Sequence, residues 1–422
     1  MTTLLIENLA EVATPQGTTV RAGAEQGRVA RLRGAEVFCR DGRIAFVGTP
    51  EERHRRFGEL PDVARLDGAG GTLVPGFVDP HTHLPWAGSR EEEFAARLRG
   101  ATYQEIAAQG GGILSTVGAT RTASEEELAT AMLPRLRRML TCGTTTAEAK
   151  SGYGLSLADE LKQLRAIQRA SAAQPVTLVP TLLAAHEVPP ELRHDRERFL
   201  ALVCEEIVPA VAAAGLARFC DVFCEQGVFT AEESRQVLLA GRAHGLAPRL
   251  HADEFVDSGG AELAAEVGAL SADHLMAVSE AGIEALAAAG VIATLLPGTS
   301  FFLMKHIYAP ARRLVAAGVP VALATDCNPG SSNTESMPTI LTLAVFELRL
   351  TVEEALTAAT LNAACSLGLG AEIGSIEEGK RADLVLLDAP NLLHLAYHFG
   401  VNPVAAVVKE GRVVLRAATP LV

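Results

Sequence analysis

Eight short apolar runs of β type, separated by Ala/Leu/Glu-rich stretches of helical character, fill the chain between residues 72 and 375. They span 74–79, 144–149, 176–184, 219–224, 247–252, 270–275, 291–296 and 320–326. Strands that alternate with helical crossovers pair in parallel, and eight of them close a (β/α)8 TIM barrel. In that fold the groups that do chemistry stand at the C-terminal ends of the strands. The polar residues worth following are therefore those that end each run.

The first run ends in Asp79-Pro80-His81-Thr82-His83. Alternate side chains of a strand share a face, so His81 and His83 can point at one metal ion. A bare H-x-H also occurs on solvated strand ends; the later runs supply what it lacks. Glu148 and Lys150 follow the second strand, His186 the third, His251 and Glu254 the fifth, His274 the sixth and Asp326 the eighth. His81, His83, His251 and Asp326 make a nitrogen and oxygen donor set without thiolate, suited to Zn²⁺ or Fe²⁺ with room for a water. A metal-acidified water is the basis of hydrolysis at neutral pH. Glu254, three residues after His251, is placed to shuttle a proton, whereas Asp253 suits the first turn of a helix. His274 either hydrogen-bonds the attacked carbonyl oxygen or serves a second metal.

Residues 1–71 and 376–422 read as short strands with turns, neither long enough to fold alone. They are expected to join in one small β-sandwich domain, with residues 72–375 as the metal-dependent barrel inserted between its halves. A net charge of -13 and the lack of any long basic run argue against nucleic acid. An anionic substrate must then be met by a local cluster of cations. The seven cysteines, at 39, 142, 204, 220, 224, 327 and 365, form no C-x-x-C pair or secreted framework, as expected of reduced thiols in the cytoplasm. No basic-then-apolar leader opens the chain, and no apolar run approaches the ~18 residues of a membrane span.

The barrel pattern with H-x-H, then His, His and Asp on the fifth, sixth and eighth strands, resembles the amidohydrolase superfamily in its mononuclear form without a bridging lysine. Longer words narrow the likeness: Asp79 to Leu84 followed by Ala87-Gly88-Ser89-Arg90, Gly110-Gly111-Gly112-Ile113, Lys150-Ser151-Gly152-Tyr153-Gly154, His251-Ala252-Asp253-Glu254 and Asp326-Cys327-Asn328-Pro329-Gly330-Ser331. Together, over essentially the whole chain, they resemble the branch that opens the ring of 4-imidazolone-5-propanoate to N-formimidoyl-L-glutamate. The resemblance implies one divalent metal per chain, Zn or Fe, on His81, His83, His251 and Asp326, with Glu254, His274 and Asp326 in catalysis. It implies substrate contacts from Arg90, Tyr153, His186, Glu254, Asn328, Gly330 and Ser331, a small-molecule substrate, and a homodimer. Arg90 would clamp the substrate carboxylate with its planar fork. Tyr103 is a weaker candidate contact. Lys150 stays open between a neighbour of the anion and a structural ion-pair partner. Two alternatives remain: a heterocyclic-amine deaminase of the same superfamily, sharing H-x-H and H-x-x-E, and a non-catalytic scaffold on the same fold, which would be expected to lose metal ligands.

Overall fold

In the computed structural model, residues 2–101 and 111–417 are described. Tyr103 lies outside them. All eight barrel strands form: Phe77–Asp79, Thr144–Lys150, Thr177–Ala185, Phe219–Cys224, Leu250–Ala252 with the short Ala247–Pro248 before it, Ser271–His274, Ile292–Leu295 and Val321–Leu323. They pair in parallel and in sequential order. Their residues are buried almost throughout, because helices cover the outside and packed side chains fill the inside. The first and eighth strands are joined just beyond their ends. Asp326 N–H donates to the His81 carbonyl at 3.1 Å and His83 N–H to the Cys327 carbonyl at 3.0 Å.

The first run does not form one strand over 74–79. Thr72–Pro75 pairs with Leu384–Leu387 in the small domain, and only Phe77–Asp79 enters the barrel. Gly76 makes the crossing, where a Cβ would stand 2.3 Å from Thr145 Oγ1. The residue is glycine because the Thr145 side chain packs against its Cα and leaves no room for a Cβ.

The chain ends build two sheets. Thr3–Glu7, Glu36–Arg40, Arg43–Gly48 and Ala64–Asp67 form one of four strands; Glu11–Thr14, Ala30–Arg33, Thr72–Pro75, Leu384–Leu387, Val404–Lys409 and Arg412–Arg416 form one of six. Their inner faces share a core that includes Ile6, Val12, Val37, Leu384 and Val408, the arrangement of a β-sandwich. Lys409, buried, ties this unit to the barrel by donating to the Thr145 carbonyl at 2.8 Å and to Asp383 at 2.7 Å.

Local chemistry fixes the helices that follow the strands. Ser124 with Glu127, Thr230 with Glu233 and Thr351 with Glu354 each close a reciprocal capping box. Asp253 does the corresponding work after the fifth strand, accepting the N–H groups of Ser258, Gly260 and Ala261 at the start of helix Gly260–Val267.

Candidate active site

Of the residues expected to bind metal, act in catalysis or contact substrate, Arg90, Tyr153, His186, Asn328, Gly330, Ser331, His83, His251, Glu254, His274 and Asp326 line one cavity of about 920 Å³ at the C-terminal end of the barrel. His81 lies fully buried directly beneath it. His83 Nε2 stands 3.5 Å from His251 Nε2 and 3.4 Å from Asp326 Oδ1, and His81 Nε2 stands 3.6 Å from the same oxygen. Four donors held tetrahedrally about 2.1 Å from one ion would be about 3.4 Å apart. These three separations are close to that value, and the donors fall into two overlapping groups, His81 with His83 and His251, and His81 with His274 and Asp326. His81 Nε2 is buried and has no hydrogen-bond partner among the described residues.

The rings are aimed from behind. His81 Nδ1 meets Asp273 Oδ2 at 2.6 Å and His251 Nδ1 meets Asp221 Oδ1 at 3.2 Å. A carboxylate can only accept, so each Nδ1 carries the proton and each Nε2 offers a lone pair to the centre. Asp326 is fixed in the same way: Thr299 and Ser331 donate to Oδ2 at 2.7 and 3.3 Å, leaving Oδ1 for the centre. Burial, and after it the positive charge of Lys150 for His81 or the facing His251 for His83, holds both imidazoles well below their usual pKa. They are neutral, as metal ligands must be. The backbone carries strain here: His274, Leu275 and Asp326 have φ of 80°, 59° and 53°, and such non-glycine conformations cost ~1 to 3 kcal/mol each.

Above the donors, Glu254 is 7% exposed, and its pKa is raised well above the carboxylate range by burial and then by the charge of Asp326. Its loop is shaped by Glu225, which accepts the N–H groups of Glu254, Phe255 and Val256. His274 Nε2 lies 3.7 Å from Glu254 Oε2, and burial lowers the pKa of His274 to about 3. His274 also falls within reach of His81 and Asp326 as a possible donor to an ion. His186 stacks on His83 with ring centroids 5.1 Å apart and an angle of 16°, and Tyr153 lies beside both.

The Arg90 side chain turns into the cavity wall. Its Nε and Nη2 both meet Glu93 Oε2 at 2.9 Å, so one edge of the fork is already occupied and the edge carrying Nη1 faces Gly330. Asn328 spends its amide on its own loop, accepting from the N–H of Gly330 and Ser331 at 2.8 Å and donating to the Asp326 carbonyl and Ser331 Oγ. Of the two roles left open for Lys150, the structure shows the structural ion-pair partner. Lys150 and Glu148 point into the barrel interior, away from the cavity, where they pair at 2.8 Å. Sequence reasoning passes over Asp221, Asp273 and Glu225. Asp221 is an acid inside an otherwise apolar strand, a local sign that it serves something buried, whereas Asp273 stands beside His274 in the polar strand Ser271–His274.

The amidohydrolase family model matches residues 72–414. The chain belongs to the amidohydrolase family. Among its relatives, the imidazolonepropionase of Symbiobacterium thermophilum is 53% identical over 413 residues, covering 98% of this chain and 97% of the relative. That of Myxococcus xanthus is 52% identical with the same coverage. Among solved structures, 5-methylcytosine deaminase from Klebsiella pneumoniae superposes with a TM-score of 0.74 at 18% identity, covering 99% of each chain. Adenosine deaminase from Xanthomonas campestris, solved with bound zinc, gives 0.72 at 22%, covering 98% of this chain and 93% of the other. These amidohydrolases share the fold. Members of the family depend on a metal, and the His and Asp groups of this amidohydrolase are grouped so that they could bind one.

Proposed function

We propose that the chain is an imidazolonepropionase, hydrolysing the cyclic amide C–N bond of 4-imidazolone-5-propanoate to give N-formimidoyl-L-glutamate in histidine degradation. The observation that carries this reading is half-identity to imidazolonepropionases over nearly the whole chain. The donor cluster beneath a cavity with an arginine fork in its wall supports it. His81, His83, His251 and Asp326 would hold one divalent metal, Zn or Fe, both of which accept this donor set. When bound, the metal supplies the charge that makes hydroxide available near neutral pH and polarises a carbonyl.

The residues do the rest. Glu254, with its raised pKa, takes a proton from the attacking water as oxygen adds to the ring carbonyl carbon. His274, beside Glu254, offers a hydrogen bond to the carbonyl oxygen as charge gathers there. The ring C–N bond then breaks, and Glu254 returns its proton to the departing nitrogen. Arg90 receives the propionate, with Tyr153, His186, Asn328, Gly330 and Ser331 around the ring and the new carboxylate. The cysteine pattern supports a cytoplasmic enzyme and the resemblance a homodimer; among the described residues no helix is long and apolar enough to cross a membrane.

Turnover of freshly generated imidazolonepropionate, followed by loss of its ultraviolet absorbance, tests the reading. It should proceed while cytosine, guanine and other aminoheterocycles are left intact. Deamination of one of these without ring opening would replace the proposal by the deaminase reading, and inertness toward all of them in metal-loaded protein would favour a scaffold.

A further inference from the structure

The ion pairs inside the barrel raise a question that the reaction alone does not answer. Lys150 is fully buried behind a centre built to attract a cation, where its own charge works against binding. Its contacts suggest what offsets that. Nζ lies 2.8 Å from Glu148 Oε2, 2.6 Å from Asp221 Oδ2 and 3.8 Å from Asp273 Oδ2. Asp221 and Asp273 are the two carboxylates that hold the Nδ1–H groups of His251 and His81. Asp221 divides its oxygens, Oδ2 to Lys150 and Oδ1 to His251. Arg249, also fully buried, closes the cluster from the other side at 3.2 Å from Glu148 and 3.5 Å from Asp273, and donates to the Pro80 carbonyl next to His81 at 2.8 Å.

We propose that Lys150 is a positioning residue of the metal centre: its ammonium group holds Asp221 and Asp273 in the orientation that fixes two of the ligand imidazoles. The inference rests on the reading that His81, His83, His251 and Asp326 hold the metal. Three buried carboxylates with only Arg249 between them would repel and turn away from one another. The ring acceptors would go with them, and losing an outer partner of a metal-bound histidine typically costs ~10- to 100-fold in metal affinity.

Removing Lys150 alone would mix two effects, because deleting a positive charge also strengthens the field that draws in a cation. Lys150→Met/Glu148→Gln removes one charge of each sign and leaves the histidine-facing acids intact. Zn²⁺ affinity is measured by chelator competition on the full-length protein. The expected result is a loss of roughly tenfold or more in the double variant and near wild-type affinity in Glu148→Gln, whose carboxylate touches no ligand. Wild-type affinity in the double variant, or an equal loss in Glu148→Gln alone, overturns the role of Lys150. If the Met variant does not fold, Lys150→Gln/Glu148→Gln, which keeps a donor for Asp221, carries the same test with a smaller expected loss, and wild-type affinity there overturns the proposal. His251→Ala is run beside them. Unchanged Zn²⁺ affinity in that variant rejects the ligand assignment itself, whereas loss there with none in the double variant rejects only Lys150.

Discussion

Gly330→Ala tests the substrate clamp without touching a charged group. Gly330 has no unusual φ, so alanine meets no backbone penalty, but its Cβ would stand 2.0 Å from Arg90 Nη1. Ordinary contact begins at 3.4 Å, so the guanidinium must retreat by about 1.4 Å. Glu93 holds its other edge and Arg97 occupies the far side of Gly330 by donating to its carbonyl at 3.2 Å, so the retreat is into the cavity and off the position that meets a carboxylate. The fold should lose at most about 1 kcal/mol, since the displaced atoms end a flexible side chain. Loss of one charged hydrogen bond is worth roughly 1.5 to 3 kcal/mol, so kcat/KM for imidazolonepropionate should fall by about one to two decades. An analogue lacking the propionate should lose less than the full substrate, and Arg90→Met/Gly330→Ala should show less than the sum of the two single losses. Wild-type kcat/KM in Gly330→Ala would refute the assignment of Arg90 as the carboxylate fork.

Glu254→Gln keeps size and hydrogen bonding but cannot carry a proton; kcat should drop by roughly 10² to 10⁴ with metal content unchanged by elemental analysis. Because the Glu254 pKa is raised, its proton-accepting form is present above that pKa and is lost as pH falls through it, so the acidic limb of the wild-type pH–rate profile should vanish in the variant. Purified protein should hold about one metal per chain, and His81→Ala should lose both metal and turnover while circular dichroism stays native; two tightly held metals, or turnover by the metal-free variant, would contradict the mononuclear site. Lys409→Met should destabilise the protein by about 3 kcal/mol in denaturant titration, because it leaves Asp383 buried short of a partner.

The eight strands are legible because parallel barrel strands are buried on both faces and read as near-continuous apolar runs. The converging histidines are legible because polarity at the end of such a run is conspicuous. What escapes the sequence is decided by distant partners. Thr72 to Asp79 has one composition and two fates, since nothing local records that Leu384–Leu387 takes its first half and Thr144–Lys150 its second. Lys150, at a strand end, leaves open a neighbour of the anion or a structural ion-pair partner; three acids from three other positions settle it as the second. Arg90 is a candidate clamp only on the family resemblance, and the edge of its fork that stays free depends on Glu93, three residues on in helix Glu91–Leu98.

The bonds that join the first and eighth strands come from His81, His83, Asp326 and Cys327, three of which are proposed to hold the metal. The barrel's seam and its proposed reactive centre therefore share the same residues from both strand ends. An ion gripped there by both sides acts as a clasp, so that filling the site would also lock the cylinder shut. Emptying it should loosen the barrel along this line first, and amide hydrogen exchange should quicken at His83 and Asp326 before it does so on the opposite wall around Phe219–Cys224.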